Sequence, residues 1–199
     1  MHAETGWNVV TLTYRTAGLR AVNQPADIAA AVRAVQSRHG LDPKRLALWG
    51  ESAGGELALL AAYRGHFSYP IRAVASVSGP TKMPQMLTAG AETRLGCVSA
   101  FEGTTPAINP TRYAITSPFN YARADVPPTY LAHGQGDTLV PADQAQQLAA
   151  ALAAAGASVV TDVVAGSRDH ALLLEDDPYR PGGATVRARA EHFISASTR

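Results

Sequence analysis

Short apolar segments typical of buried strands alternate along this chain with segments patterned as amphipathic helices. Strand-like segments occupy residues 8–14, 45–49, 73–78, 129–134 and 158–164, and helix-like segments occupy 25–40, 53–63, 141–156 and 184–197. Parallel strands need crossover connections, which helices of this length provide. The alternation therefore predicts one α/β domain over residues 1–199, with a mostly parallel sheet and helices on both of its faces.

The helix boundaries are predicted from their end signals. Pro25 and Asp27 open the first helix and Gly40 closes it, while Pro141 and Gly156 bracket the helix at 141–156. An early proline and a terminal glycine are the usual markers of helix ends. We expect Ile28, Val32 and Val35 to form the buried face of the first helix.

Residues 79–128 interrupt the alternation. This stretch contains seven prolines, and "KMPQML" at 82–87 is its single helix-like piece. A connection of this length inside a compact domain is usually functional or disordered. Its aromatic and aliphatic residues favour an ordered, lid-like insertion, and a surface insertion without a role is the alternative.

Composition and charge exclude several classes of function. The formal net charge is +1 and the basic residues are scattered, so neither nucleic acid nor an anionic membrane is the expected partner. No apolar run reaches the ~18 residues of a membrane span, and the start "MHAETGWNVV" lacks a secretory pattern. We therefore expect a cytoplasmic protein.

The sequence contains no motif that is typical of a cofactor-binding site. The sequence has no glycine-rich nucleotide loop and no His, Cys or Asp spacing of a metal site, so no cofactor and no metal are expected. Cys97 is the single cysteine and is interpreted as a packing residue.

A serine between glycines is the strongest functional signal. Gly50-Glu51-Ser52-Ala53-Gly54 follows a predicted strand directly and precedes a predicted helix. This is the context of the G-x-S-x-G nucleophile elbow, whose glycines avoid collisions that a Cβ would make in so sharp a turn. The alternative is a serine that only caps the helix.

Two downstream residues complete a candidate triad. Asp137 follows the predicted strand at 129–134, and His170 follows the one at 158–164. A serine needs a base, and the base needs an orienting acid, in the chain order Ser, Asp, His. The carboxyl ends of parallel strands share one sheet edge, so these two residues are expected beside Ser52.

Other acids and histidines fit less well. Asp169 adjoins His170 and therefore points elsewhere, and Asp143 lies inside a predicted helix. His133 is the main competitor for the base, but it precedes Asp137 and is expected to pack or bond at a strand end. A turn or capping role is the alternative for Asp137 and His170.

Several segments, distributed along nearly the whole chain, resemble the α/β-hydrolase superfamily. "LDPKRLALWGESAGGELALLAA", "SPFNY", "PPTYLAHGQGDTLVP" and "AGSRDHALLL" are similar to the esterase/lipase group related to hormone-sensitive lipase and bacterial feruloyl-esterase-like carboxylesterases. The resemblance implies hydrolysis of carboxylic esters of small or medium acyl or aryl groups. Ser52 would be the nucleophile, His170 the base and Asp137 its orienting acid.

The resemblance also implies an oxyanion hole that this sequence only partly supplies. The backbone N–H of Ala53 is one expected donor. The second normally comes from an HGG-type loop upstream of the "TYR" at 13–15, and no such loop precedes it here. The fold is therefore expected to lack its N-terminal strands. The chain is then a fragment, or a second copy covers the open edge as a homodimer, or residues 8–14 close the sheet beside 45–49.

Several functions remain open at this point. A serine carboxylesterase acting on a small-molecule ester is the leading hypothesis. Arylformamidase, thioesterase, sugar deacetylase and a peptidase-like relative are further hydrolase alternatives, which the triad does not distinguish because the shape of the acyl pocket decides between them. A catalytically impaired relative that binds a hydrophobic ligand or a partner protein is the alternative of another class.

Overall fold

Four parallel strands form the sheet of the computed structural model, which describes residues 6–15, 20–38, 40–171 and 185–199. The strands are β1 (Ala47–Glu51), β2 (Ala73–Val77), β3 (Thr129–Gly134) and β4 (Val159–Val164), in this spatial order. Each pair is parallel, with Trp49 opposite Ala75 and Ala132 opposite Asp162. Because β2 and β3 are buried along their whole length, their sequences are mostly apolar and do not alternate with exposed polar residues.

Helices connect the strands and extend beyond them. Within the described ranges they are α1 (Arg20–Gln36), α2 (Ala53–Arg64), α3 (Ala91–Ala100), α4 (Pro110–Ile115), α5 (Asp143–Ala154) and α6 (Val186–Ser197), with short 3-10 turns at Pro43–Arg45, Met83–Thr88 and Pro118–Tyr121. The predicted helices and all predicted strands except 8–14 therefore exist, with boundaries shifted by a few residues.

Helices cover both faces of the sheet, as predicted. On one face, residues of α1, α2 and α5 such as Val32, Leu57 and Leu148 pack on strand residues such as Val74. On the other face, the buried side of α6 packs on the alternate strand residues Ala73, Ala75, Val77, Tyr130 and Ala132. Successive strand side chains point to opposite faces, which supplies both cores from the same strands.

The predicted strand at 8–14 is wrong. Residues 6–15 form neither strand nor helix, and β1 is the edge of the described sheet. Val9 and Val10 are 48% and 45% exposed. A β-branched composition favours a strand only where a neighbour supplies hydrogen bonds, and no described segment does so for residues 8–14. The sheet is therefore not closed by 8–14, and the homodimer stays a prediction.

Side chains hold this N-terminal segment instead. The Arg15 guanidinium contacts the Asp27 carboxylate at 2.6 Å, and the Trp7 Nε1–H donates to the Ser195 Oγ at 3.3 Å. Leu12 and Tyr14 pack against the core between α1, α2 and the sheet. Residues 6–15 thus cross the protein surface as a packed segment without joining the sheet.

Helix α1 begins five residues before its predicted start at Pro25 and ends at Gln36, before Gly40. Proline removes one backbone N–H from the helix. The helix nevertheless continues through Pro25, because burial of Ile28 and Val32 in the core stabilises the residues that follow this proline.

The stretch 79–128 is ordered by its own small core. Besides the expected helical turn near 82–87, it contains α3, α4 and the turn Pro118–Tyr121, so the prediction of a single helical piece was wrong. Prolines occupy first-turn positions of its turns and of α4, where they are tolerated but obscure the helical pattern. Phe101 and Tyr113 stack with ring centroids 4.0 Å apart.

A buried glutamine joins this stretch to the domain. The Gln144 Oε1 on α5 accepts the backbone N–H groups of Thr81 and Lys82 at 2.7 and 2.8 Å. The Thr81 hydroxyl donates in return to the Gln144 carbonyl oxygen at 2.8 Å. These bonds fix the start of the stretch beside β2 and α5.

Candidate active site

Ser52 occupies the turn between β1 and α2 in a strained backbone conformation. Its φ and ψ are 50° and −124°, a region that non-glycine residues rarely adopt. Its N–H donates to the Val77 carbonyl at 2.9 Å, and its own carbonyl accepts from Gly55 and Glu56. Such strain persists only where surrounding bonds enforce it, and it is concentrated at functional sites.

Close packing explains two glycines of the turn but not a third. A Cβ on Gly50 would fall on the backbone carbonyl of Gly54, and one on Gly55 would lie 2.5 Å from the Ser76 Oγ. A Cβ on Gly54 would meet no atom within 4 Å. The steric interpretation of the motif is therefore confirmed for Gly50 and wrong for Gly54. The crowded second position is Gly55, which the five-residue motif does not include.

Asp137 lies fully buried in the loop after β3, as its predicted position requires. Its Oδ1 accepts the backbone N–H groups of Leu139 and Val140 at 2.9 and 3.1 Å. Burial opposes ionisation of this carboxyl, but hydrogen bonds from His133, His170 and Val140 outweigh it and hold its pKa well below the ordinary value. Asp137 is therefore a carboxylate that only accepts hydrogen bonds.

His170 joins the aspartate to the serine. Its Nδ1 lies 2.6 Å from the Asp137 Oδ2, and its Nε2 lies 2.9 Å from the Ser52 Oγ. Because the carboxylate can only accept, Nδ1 carries the proton and Nε2 presents its lone pair to the serine hydroxyl. The structure thus brings together the three residues that the sequence singled out.

The competing residues occupy other positions. His133 is completely buried at the end of β3, where its Nε2 donates to the Val140 carbonyl at 2.7 Å and lies 3.5 Å from the Asp137 Oδ2. The Asp169 Oδ2 accepts from the Ser167 hydroxyl at 3.2 Å. Asp143 is exposed at the start of α5. The contact between His133 and Asp137 was not predicted, although their i,i+4 spacing, from the end of a strand into the following loop, is visible in the sequence.

Ala53 is the exposed first residue of α2. The N–H groups of a first helical turn have no acceptor within the helix, and the helix dipole favours negative charge there. Its place beside Ser52 suits an oxyanion donor, which stays a prediction.

Comparison with known proteins identifies the family. The model of the family described as BD-FAE matches residues 1–152. The chain belongs to the BD-FAE family. Esterase LipQ of Mycobacterium tuberculosis is 27% identical to it over 208 residues, which cover 94% of this chain and 46% of LipQ. The probable carboxylic ester hydrolase LipM of the same organism is 31% identical, over 72% of this chain and 37% of LipM.

A solved structure supports the same fold. Native esterase Est2 from Thermogutta terrifontis superimposes with a TM-score of 0.68 at 20% identity, covering 94% of this chain and 69% of Est2. The fold of this BD-FAE protein is thus that of the α/β-hydrolase esterases. The chain spans less than half the length of either curated relative.

Within the described ranges, two other kinds of feature are not found. No cluster of three or more His, Cys, Asp or Glu side chains there is arranged to hold a metal ion. None of the helices in those ranges combines the length and hydrophobicity of a membrane span.

Proposed function

We propose that this BD-FAE protein is a serine hydrolase that cleaves carboxylic esters of small or medium acyl or aryl groups. The observation that carries the proposal is the continuous series of contacts from Asp137 through His170 to Ser52, at 2.6 and 2.9 Å. The names of LipQ and LipM, an esterase and a probable carboxylic ester hydrolase, support the same chemistry.

The reaction begins when the Ser52 Oγ attacks the ester carbonyl carbon and its proton passes to the His170 Nε2. The resulting oxyanion develops beside the N–H of Ala53 at the start of α2. Collapse of the tetrahedral intermediate breaks the ester bond, and His170 gives its proton to the leaving alcohol. Water then attacks the acyl-serine with the same proton transfers, which releases the acid and restores Ser52.

Asp137 serves this cycle by holding one tautomer of His170. Its ionised carboxylate accepts the Nδ1–H throughout and stabilises the imidazolium that forms in each half-reaction. The two backbone N–H groups on Oδ1 and the nearby His133 fix the carboxylate itself. The aspartate therefore acts through orientation and charge without taking up a proton.

The oxyanion donor is expected to matter for the rate. Removal of one donor from such a hole costs about 10²–10³ in kcat. Loss of the Ala53 N–H would therefore slow hydrolysis by about that factor.

We further propose that residues 79–128 form the wall of the acyl pocket and act as its lid. Burial, and then the charge of Glu56, raises the pKa of the Cys97 thiol on α3 to about 11. Glu56 lies one helical turn after Ser52, so its influence on Cys97 supports a position of part of the stretch near the nucleophile helix. Arylformamidase, thioesterase and sugar deacetylase remain alternatives that differ in this pocket.

The test is a serine-directed probe combined with a simple ester. The purified protein is treated with a fluorophosphonate and, separately, with p-nitrophenyl acetate, alongside Ser52→Ala and the surface control Ser37→Ala. We expect labelling and turnover in the wild type and in Ser37→Ala, and neither in Ser52→Ala. A wild type as inert as Ser52→Ala would reject the proposal and favour the impaired, ligand-binding relative.

A further inference from the structure

Ser78 connects the end of β2 to the loop that carries His170. The residue directly follows Val77, the last residue of β2, and is completely buried. The backbone N–H of Ala171 donates to the Ser78 Oγ at 3.0 Å. The two residues lie 93 positions apart in the sequence, and Ala171 adjoins the candidate base.

The geometry of the sheet requires the His170 loop to pass over the end of β2, where this contact forms. Ser52 follows β1 and His170 follows β4, which are the two outer strands of the described sheet. Strand spacing puts the ends of these strands roughly 14 Å apart. The loop after β4 must therefore cross the ends of β3 and β2 to bring its imidazole to Ser52, and Ser78 lies at the end of β2.

Val77 and Ser78 bind both the nucleophile turn and the loop that carries His170. The Val77 carbonyl accepts the N–H of Ser52 at 2.9 Å, and the next residue accepts the N–H of Ala171 through its side chain. The N–H of Ser78 itself donates to the Ala132 carbonyl on β3 at 2.8 Å. The nucleophile turn and the histidine loop are thus tied to two consecutive residues that are fixed to the central strands.

The backbone at this connection is unusual on both sides. Ser78 and Ala171 both have positive φ, 53° and 54°, although neither is glycine. Such conformations are sparsely populated and persist where surrounding contacts require them. A residue that only filled space at the end of β2 would need neither the positive φ nor a hydroxyl.

Other bonds secure the opposite side of His170. The Ser167 carbonyl accepts the N–H of Gly136 at 2.7 Å, and the Ser167 Oγ accepts the N–H of Asp169 at 3.1 Å. These contacts fix the approach to His170 from β4. The bond from Ala171 to Ser78 fixes the side that follows it.

We propose that Ser78 is a positioning residue, whose hydroxyl holds the His170 loop across the sheet at hydrogen-bond distance from Ser52. The proposal rests on the proposed function, because it assigns Ser78 a role in the Ser52–His170 reaction. Ser78 acts through Ala171 and need not touch the substrate.

The test compares Ser78→Ala and Ser78→Gly with a matched control, Thr129→Val. Both Ser78 variants lose the hydroxyl, and glycine also relaxes the positive φ. Thr129 is equally buried, and its hydroxyl bonds to the Tyr63 hydroxyl and the Pro127 carbonyl at the far end of the sheet. The control therefore loses a buried hydroxyl bond without disturbing the histidine loop.

We expect kcat for p-nitrophenyl acetate to fall at least about tenfold in both Ser78 variants, with KM within about twofold of the wild type, since small displacements of a catalytic group are costly. Thr129→Val should lower the melting temperature while leaving kcat unchanged. Wild-type kcat in both Ser78 variants, or an equal loss in Thr129→Val, would overturn the proposal.

A second measurement separates this proposal from the proposed function. Amide hydrogen exchange at Ala171 is read by NMR, with no need for activity. We expect faster exchange at Ala171 in Ser78→Ala and wild-type exchange there in Thr129→Val. Unchanged exchange in Ser78→Ala would overturn the positioning role even if Ser52 proves to be the nucleophile. If the wild type fails the fluorophosphonate test but Ala171 still exchanges faster in Ser78→Ala than in the wild type, the hydrolase proposal is rejected and the contact between Ser78 and the loop is retained.

Discussion

The Nε2 of His170 lies 2.9 Å from the Oγ of Ser52, although the two residues are 118 positions apart and follow opposite edge strands of the described sheet. Asp137 and Ser78, which follow the two central strands, contact the histidine and its neighbour Ala171. Each of the four described strands is thus followed by one residue of the same connected group. The candidate site therefore depends on all four strands that end at this edge of the sheet.

Replacing Asp137 by asparagine should abolish most of the ester hydrolysis. The asparagine amide can present an N–H to the His170 Nδ1, which favours the wrong imidazole tautomer, and the corresponding change in a serine protease triad lowers kcat about 10⁴-fold. Turnover of p-nitrophenyl acetate measures the effect, and circular dichroism checks the fold. Asp143→Asn, at an exposed position on α5, should keep wild-type turnover. More than a tenth of wild-type kcat in Asp137→Asn would contradict the assignment.

The same aspartate should make stability depend on acid pH. Its pKa is lower in the folded protein than in the unfolded chain, so the unfolded chain binds more protons as pH falls below about 4. The stabilisation is present above that pH and is lost as pH falls toward the folded-state pKa, by up to about 1.4 kcal/mol per pH unit. Urea midpoints between pH 5 and 3 should fall more steeply for the wild type than for Asp137→Asn. Parallel curves for the two proteins would show that Asp137 is not the source.

Glu56 should make stability depend on pH in the opposite direction from Asp137. Burial raises its pKa to about 8, so the folded protein keeps a proton that the unfolded chain releases above about 4.3. The contribution of this group to stability therefore falls as pH rises from about 4 to about 8. Glu56→Gln keeps the shape of the neutral side chain. Its melting temperature should exceed that of the wild type by a larger margin at pH 8 than at pH 5. The exposed control Glu102→Gln should show no such difference, and an equal gain at both pH values in Glu56→Gln would refute the prediction.

The glycines of the nucleophile turn should differ sharply in tolerance. Gly50→Ala places a Cβ on the backbone of Gly54, which cannot move away without opening the turn, so folded and fluorophosphonate-reactive protein should be lost. Gly54→Ala meets open space and also removes a residue of poor helix propensity, so it should melt at or slightly above the wild-type temperature. Thermal melts followed by circular dichroism compare the two variants. Similar melting temperatures for both would contradict the steric argument.

The sequence by itself determined the class of fold and the candidate triad. Alternating apolar strands and amphipathic helices allow few arrangements other than a parallel sheet with helices on both faces. In such a sheet, residues that directly follow strands meet at one edge, so the order of Ser52, Asp137 and His170 in the chain was enough to predict their meeting. These features depend on local pattern and on the direction of strands, which sequence carries.

Tertiary structure decided what depends on neighbours. Residues 8–14 have the composition of a strand but no partner strand in the described part of the chain, and Gly55 is crowded mainly because the Ser76 side chain of β2 packs against it. Helix α4 and the 3-10 turns of 79–128 carry prolines in their first turn that conceal their pattern, and a core shared by α3, α4 and the turn Met83–Thr88 stabilises the stretch. Ser78 reaches Ala171 only because the loop after β4 crosses the sheet. Contacts between segments far apart in the chain leave no periodic signal, because each depends on how the sheet is already assembled.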